Sequence, residues 1–253
     1  MRRTAMRRSL DWAHGVLRRA GFDVVRSRGL GTVNGRRQAL FRAAGIDLVI
    51  DVGANRGQYG RLLRAHGYAG RIVSIEPLAA PFAALSAAAA RDPQWLAVNV
   101  ALGNADGEAT LTVAANSVSS SFLEMLPLHR EAAPTSRSVG AEVVAMRRLD
   151  SVGPAWLRGS SLPFLKLDVQ GFEAQVLAGA QETLAALAGL QLELQLAPLY
   201  AGAPALPAMI QELQTHGFEL MGLEPGFTDA RTGPLLQVDG LFFRPARFDV
   251  PTA

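Results

Sequence analysis

The 253-residue chain contains no cysteine, which excludes disulfides, thiolate nucleophiles and zinc–thiolate centres. A reducing, cytoplasmic compartment fits that absence. No run reaches the eighteen or so apolar residues that a membrane span requires, yet 49% of the residues are hydrophobic, enough for one sizeable α/β core. Lysine is nearly absent too, since Lys166 stands alone against twenty-four arginines. A chain that uses arginine wherever a generic cation serves needs an ammonium in particular at 166, unless the residue merely pairs with Asp168. No stripe of basic and aromatic residues crosses the body, so nucleic acid is not the expected partner.

The net charge of +3 hides an asymmetry. Residues 1–42 hold eleven arginines against Asp11 and Asp23, a balance of +9 that leaves −6 for the remainder. Residues 3–20 can form a helix with Met6, Leu10, Ala13 and Leu17 on one side and Arg7, Arg8, Arg18 and Arg19 available to the other. Such a helix is either a cap on the body or, through residues 1–20, a peripheral contact with an anionic membrane. Arg18 and Arg19 interrupt any signal-peptide core. Without a linker or repeat further on, the chain reads as a basic helical extension over 1–42 and one domain over 43–253.

That domain is organised around residues 46–59. Leu48 to Val52 is short, apolar and β-branched, as expected of a strand buried on both faces of a parallel sheet. Tyr59, Leu62, Leu63 and His66 then follow a helical period that Gly67 stops. Between them Gly53 and Gly57 let the backbone approach a ligand, and Asn55 tolerates left-handed torsions. Glu76, twenty-five residues after Asp51, ends a second strand over 71–75, where an acid can accept both hydroxyls of a ribose. The turn lacks the middle glycine of the pyrophosphate fingerprint, which counts against NAD. Asp51, just before it, suits a cationic ligand such as S-adenosylmethionine. Trp95 to Leu102 reads as a third strand whose backbone end can read adenine.

A second polar constellation lies at 162–173. Alternation puts Lys166, Asp168 and Gln170 on one side of a strand and Leu165, Leu167 and Val169 on the other. Polar residues at the carboxyl end of a central parallel strand point to a site. Phe172 to Leu187 draws one helical stripe, Gln191, Glu193 and Gln195 form the polar face of the next strand, and strands over 218–223 and 238–244 close the chain. Residues 115–140 have no period and read as a loop. Within it His129 is a candidate catalytic residue by elimination, because His14, His66 and His216 each precede a glycine at an expected helix end, where the dipole accounts for them. Asp168 with Glu193 offers oxygen ligands, but two carboxylates are too few to assign a metal.

The series Asp51-Val52-Gly53-Ala54-Asn55-Arg56-Gly57-Gln58, Ile75-Glu76-Pro77, Asn99 to Gly103, Ser119 to Ser121, and Lys166 to Glu173 resembles the FkbM family of S-adenosylmethionine-dependent O-methyltransferases. Tyr200 and Asp239-Gly240-Leu241-Phe242-Phe243 also fit. The resemblance covers residues 40–245 and implies the class I methyltransferase fold: a Rossmann-like, doubly wound α/β sheet of seven core strands with the last antiparallel. It implies S-adenosylmethionine held by Asp51, Gly53, Asn55, Gly57, Gln58, Glu76, Pro77, Ala101 and Leu102. It also implies a small-molecule or glycolipid acceptor, such as a sugar or polyketide-type metabolite, methylated on a hydroxyl near Ser120, Ser121 and Glu193. The base is expected among Asp168, Lys166 and His129, with Asp168 first. Lys166 is either a base of lowered pKa or the group that orients Asp168. An NAD-dependent oxidoreductase and a non-catalytic cofactor-binding scaffold are the alternatives.

Overall fold

The computed structural model describes residues 16–22 and 29–248. The helix expected over residues 3–20 lies, up to residue 15, outside the described residues. The chain divides into two compact units, Met1–Phe41 and Arg42–Ala253. Residues 16–19 are helical, and Thr32 Oγ1 accepts the Gly35 N–H at 3.1 Å, capping helix α1 (Val33–Ala44) by the usual hydroxyl-to-amide bond.

The second unit is built on a seven-stranded sheet of order β3-β2-β1-β7-β8-β10-β9. Its strands are β1 (Leu48–Val52), β2 (Arg71–Ile75), β3 (Trp95–Val98), β7 (Pro163–Leu167), β8 (Gly189–Gln195), β9 (Glu219–Pro225) and β10 (Gln237–Phe243). All neighbours pair in parallel from β3 to β8, and β10, last in the chain, is antiparallel to both β8 and β9. This is the expected order of polarity. Helices α2 (Gln58–Ala65), α3 (Ala79–Ala89) and α8 (Leu206–Thr215) follow β1, β2 and β8, and α5 (Leu149–Leu157) precedes β7.

On one sheet face Leu48, Ile50 and Val52 join Leu165, Leu167, Leu190 and Leu192 in a core completed by Leu149, Val176, Leu184 and Leu213. The other face begins apolar, with Val49 and Ile72, and turns polar toward the carboxyl ends, where Asp51 and Ser74 follow at the next alternate positions. The two faces of the same strands therefore serve different ends: one is core throughout, and the other carries the site.

Three expectations need correction. The third strand does not run from Trp95 to Leu102, because it leaves the main sheet at Asn99. Ala101–Leu102 (β4) instead pairs in parallel with β6 (Ser138–Arg147), which pairs with β5 (Gly107–Ala114) in a separate three-stranded sheet. Asn99 turns the chain there, its amide donating to the carbonyls of Glu76 and Pro77 at 2.9 Å each. The stripe from Phe172 to Leu187 is two helices, α6 (Glu173–Ala178) and α7 (Gln181–Ala186), broken at Gly179. A Cβ on Gly179 would lie 2.0 Å from the carbonyl oxygen of Gly103, so close backbone packing ends the helix where periodicity alone would continue it. Finally, residues 115–140 are not all loop. Pro127–Ala132 is a helix, α4, and β6 begins at Ser138.

Helix α2 is pressed onto the polar face by a second glycine. A Cβ on Gly60 would meet the Trp95 ring at 2.3 Å, and Trp95 is held by a hydrogen bond from its indole N–H to Ser74 Oγ at 3.0 Å. In an unpacked helix Gly→Ala gains about 1 kcal/mol. Here Gly60→Ala is expected to lose about 1–3 kcal/mol through overpacking, a reversal of sign that urea unfolding measures.

Candidate active site

Four strands, β3, β2, β1 and β7, end side by side at the carboxyl edge of the sheet. Val52 O accepts from Asp168 N at 3.1 Å, Ile75 O accepts from both Gly53 N and Ala54 N at 3.0 Å, and Val98 O accepts from Glu76 N at 3.1 Å. The turn after β1 bends through left-handed torsions at Gly53 (φ 76°), Asn55 (φ 47°) and Gly57 (φ 81°). At Gly53 the need is steric as well as conformational, since a Cβ would stand 1.9 Å from the Asp168 carbonyl oxygen. Asn55 accepts its own neighbour's amide, Arg56 N, at 3.0 Å and the Gln58 amide at 3.3 Å. Its nitrogen donates to Ser117 Oγ at 3.1 Å, which ties the turn to the segment after β5.

Glu76 is buried, and each of its oxygens accepts one backbone amide, Asn55 N on Oε2 and Leu78 N on Oε1, both at 2.9 Å. Each keeps further accepting capacity. Burial pushes its carboxyl up to about 7, against the pull of those two amides.

Parallel pairing then lines up a buried polar row. Register sets Ser74 beside Asp51, Asp51 beside Lys166 and Lys166 beside Gln191. Trp95 donates to Ser74 Oγ, which donates to Asp51 Oδ2 at 3.1 Å. The Lys166 ammonium stands 3.3 Å from Asp51 Oδ1, 3.1 Å from Asp168 Oδ2 and 5.1 Å from the centre of the Tyr59 ring. Tyr59 donates to Gln191 Oε1 at 3.0 Å. Burial works against the charge on Lys166, but Asp168 and Asp51 outweigh it and raise its pKa. That direction is opposite to the lowered pKa a base at 166 would need. Asp51, with no exposed surface, faces a cation supplied by the chain itself, the Lys166 ammonium.

Beyond this row Asp168 opens to the crevice, its side chain 37% exposed. The backbone turns sharply after it, at Gln170 (φ 56°) and Gly171 (φ 92°). Gln170 Nε2 donates to Asp168 Oδ1 at 2.9 Å and to Glu193 Oε2 at 2.8 Å, while its Oε1 accepts the Tyr200 hydroxyl at 2.7 Å. Packing around Glu193 raises its carboxyl well above the ordinary range, and the neighbouring Asp168 adds to the rise. Glu173, buried at the start of α6, accepts Val169 N at 3.1 Å and Gly171 N at 3.4 Å, and burial lifts it to about 7. Among the described residues no group of three or more histidine, aspartate or glutamate side chains is placed to hold a metal ion.

The model of the methyltransferase FkbM domain matches residues 51–220, about two thirds of the chain and every site residue just described. The chain belongs to the FkbM methyltransferase family. No curated protein matches it. Among solved structures it is similar to Sp1610 of Streptococcus pneumoniae, with 11% identity over 85% of this chain and 72% of that one and a TM-score of 0.43. TehB of Haemophilus influenzae shares 9% identity over 86% and 65% of the two chains at a TM-score of 0.45. LepI, solved in complex with SAM, shares 13% over 84% and 47% at 0.42. Likenesses of this degree say nothing about substrate.

In this FkbM-family chain the remaining expected residues fall at varying distance from the crevice. Pro77 follows Glu76 at its rim, half-buried. Ala101 and Leu102 are buried in two different cores and pair with β6, so they back the crevice wall. Ser121 Oγ donates to Gln170 O at 2.7 Å and accepts Leu123 N, whereas Ser120 Oγ accepts Ala114 N within its own loop. Ser121 also lines a cavity of about 340 Å³ with Thr112, Ser119, Phe122, Met125 and Arg130. His129 is buried between the rings of Tyr200 and Phe227, each 5.1 Å away, with Nδ1 unpartnered. Burial lowers its pKa. It packs behind Tyr200, which reaches the carboxylates only through Gln170. His66 and His216 end α2 and α8 as helix caps, as their position before glycine suggests.

Sequence reasoning passed over Ser74, Trp95, Tyr59 and Gln191. Ser74 carried a signal, a lone hydroxyl in an apolar strand; Tyr59 carried none, since it fits a helical core stripe. Removing Asp51 leaves Lys166 buried with one partner fewer, so Asp51→Ala is expected to cost about 3–5 kcal/mol of stability. Asp51→Asn, which keeps the Ser74 bond, should cost less. Chemical denaturation of both variants checks the order.

Proposed function

We propose that the protein transfers a methyl group from S-adenosylmethionine to an aliphatic hydroxyl of a sugar, glycolipid or polyketide-type metabolite, with Asp168 as general base. The observation that carries this reading is the placement of Asp168, the one partly open carboxylate of the Lys166 cluster, at the strand end beside the Gly53 turn and Glu76. The crevice fits the donor. Glu76 presents two oxygens with free accepting capacity to a ribose diol, and the Gly53 to Gly57 turn brings backbone, without side chains at its two glycines, to the same edge.

Bound S-adenosylmethionine supplies a methyl group made electrophilic by its sulfonium. The chain's own residues do the rest by holding and proton transfer. Methyl transfer needs oxygen, carbon and sulfur in line, so most of the acceleration comes from orientation. An alcohol attacks poorly while it keeps its proton, and Asp168 takes that proton during attack. Lys166 holds Asp168 Oδ2 in place at 3.1 Å. The cavity lined by Ser121 offers hydroxyl, apolar and charged walls to the body of the acceptor, and in this reading Ser121 and Glu193 contact it. The reading includes a cytoplasmic location, with residues 1–20 as a peripheral contact for anionic membrane; among the described residues no helix is long and apolar enough to cross one.

Two expectations test this. S-adenosylhomocysteine affinity, measured by calorimetry, should rise with pH and level off above about 7, because burial raises Glu76 to about 7 and its ionised form is the better acceptor of two hydroxyls. Glu76→Gln should abolish that dependence and weaken binding by about 1.5–3 kcal/mol. Incubation with methyl-labelled donor and a lipid and small-molecule extract of the host should label a hydroxylated product. Asp168→Asn should lower that labelling roughly 10²- to 10⁴-fold with cofactor affinity nearly unchanged. Undiminished labelling would remove Asp168 as base.

A further inference from the structure

The Lys166 ammonium accounts for only one oxygen of Asp168. Its other oxygen, Oδ1, is held by Gln170 at 2.9 Å, so the carboxylate is gripped at both ends and cannot turn about its own axis. Gln170 is itself unusually constrained for a side chain with three rotatable bonds. Its nitrogen spends both hydrogens on carboxylates, Asp168 and Glu193, and its oxygen accepts from Tyr200. As placed, every hydrogen-bonding atom of the amide has a partner. The backbone is fixed as well: Gln170 O accepts Ser121 Oγ at 2.7 Å, and the residue sits at φ 56°, which a non-glycine residue adopts at some cost. Gly171 makes room for the arrangement, because a Cβ there would lie 2.7 Å from Tyr200 Cβ.

We propose that Gln170 is a positioning residue, whose side-chain amide holds the Asp168 carboxylate in the plane in which it receives the acceptor proton, with Tyr200 and Ser121 locking Gln170 in place. The inference rests on the reading of Asp168 as the base. A purely structural glutamine would satisfy its hydrogen bonds wherever they were available. This one is strained in backbone, saturated in side chain, and directed at the single cluster carboxylate that opens to the crevice.

Charged and titratable groups surround Asp168 on every side: Lys166 on its own strand, Asp51 on β1, Glu76 after β2, Glu173 on α6, and Glu193 on β8, which faces Asp239 on β10. Against that fixed background Gln170 contributes a donor to the ionised form of Asp168. Replacing it by glutamate substitutes a negative charge for the donor, and replacing it by methionine removes the donor while keeping length and shape.

The test is the carboxyl ¹³C titration of Asp168 in the full chain, assigned by comparison with Asp168→Asn, alongside calorimetry with S-adenosylhomocysteine. In Gln170→Glu the Asp168 midpoint should move upward by about one pH unit or more, and in Gln170→Met upward by a smaller amount, while S-adenosylhomocysteine affinity in each stays within about threefold of the parent chain. The acid limb of the labelling reaction should move with the midpoint. If Gln170→Glu fails to fold, Gln170→Met carries the test alone. An unmoved midpoint in a folded variant would overturn the proposal, whatever its melting temperature. Loss of S-adenosylhomocysteine binding by the parent chain would instead defeat the methyltransfer reading, and the titration would still decide whether Gln170 governs Asp168.

Discussion

One buried ammonium holds the site together. Lys166 lies mid-sheet, with Asp51 across one strand boundary and Gln191 across the other, and burying its charge is unfavourable unless carboxylates stand beside it. Asp51 and Asp168 do so, the first wholly enclosed and the second at the edge of the crevice. A guanidinium would bring a planar fork and extra length into a space bounded by Tyr59, Asp51 and Asp168, which gives a physical reason for one lysine in an arginine-rich chain. Buried ion pairs of this kind add little net stability over an apolar core. What they add is a single permitted arrangement, because each charge left unpaired is expensive.

The same edge depends on backbone that ordinary residues avoid. Gly53, Asn55, Gly57, Gln170 and Gly171 all have positive φ, and they fall at the exits of β1 and β7, adjacent strands whose ends touch through Gly53 and the Asp168 carbonyl. Tight exits bring polar backbone and side chains to the crevice without lengthening the loops. They also couple the two exits, since neither turn can relax without displacing the other. Such strain persists only where the surroundings hold it, here through Glu76 on Asn55 N and Ser121 on Gln170 O.

Two additions outside the main sheet surround this edge. The three-stranded sheet packs Leu111, Val144 and Met146 with Leu78 and Ala101, and the segment around α4 packs Leu123, Met125 and Leu128 with Leu199, Tyr200 and Leu236. Each has a small core of its own. Ser117 and Ser121 link the intervening segment to Asn55 and Gln170, so the additions are fastened to both strand exits. A methyl-transfer centre needs water kept from its reacting atoms and its acceptor aligned, and the additions lie where both can be done.

Much of this was legible in the residues alone, for identifiable reasons. Apolar runs bounded by glycine placed β1, β2 and β7, the order of Asp51 and Glu76 placed two acids at the ends of adjacent strands, and the solitary lysine marked Lys166. These signals are local: period, turn chemistry and composition all act within a few residues. The role of Asp51 was not local. A strand-end carboxylate gives no sign of its partner within the chain until parallel register sets Lys166 beside it. The break of the third strand at Asn99, the break of the helix at Gly179 and the burial of His129 behind Tyr200 likewise depend on contacts between residues distant in sequence, Gly103 with Gly179 among them. The amino-acid sequence by itself determined the order of the main-sheet strands and the kinds of groups at their ends, because those follow from propensity and pattern. Only the tertiary structure decided which charges meet, because pairing across a parallel sheet is set by register, and no period in a single strand encodes the identity of its neighbour.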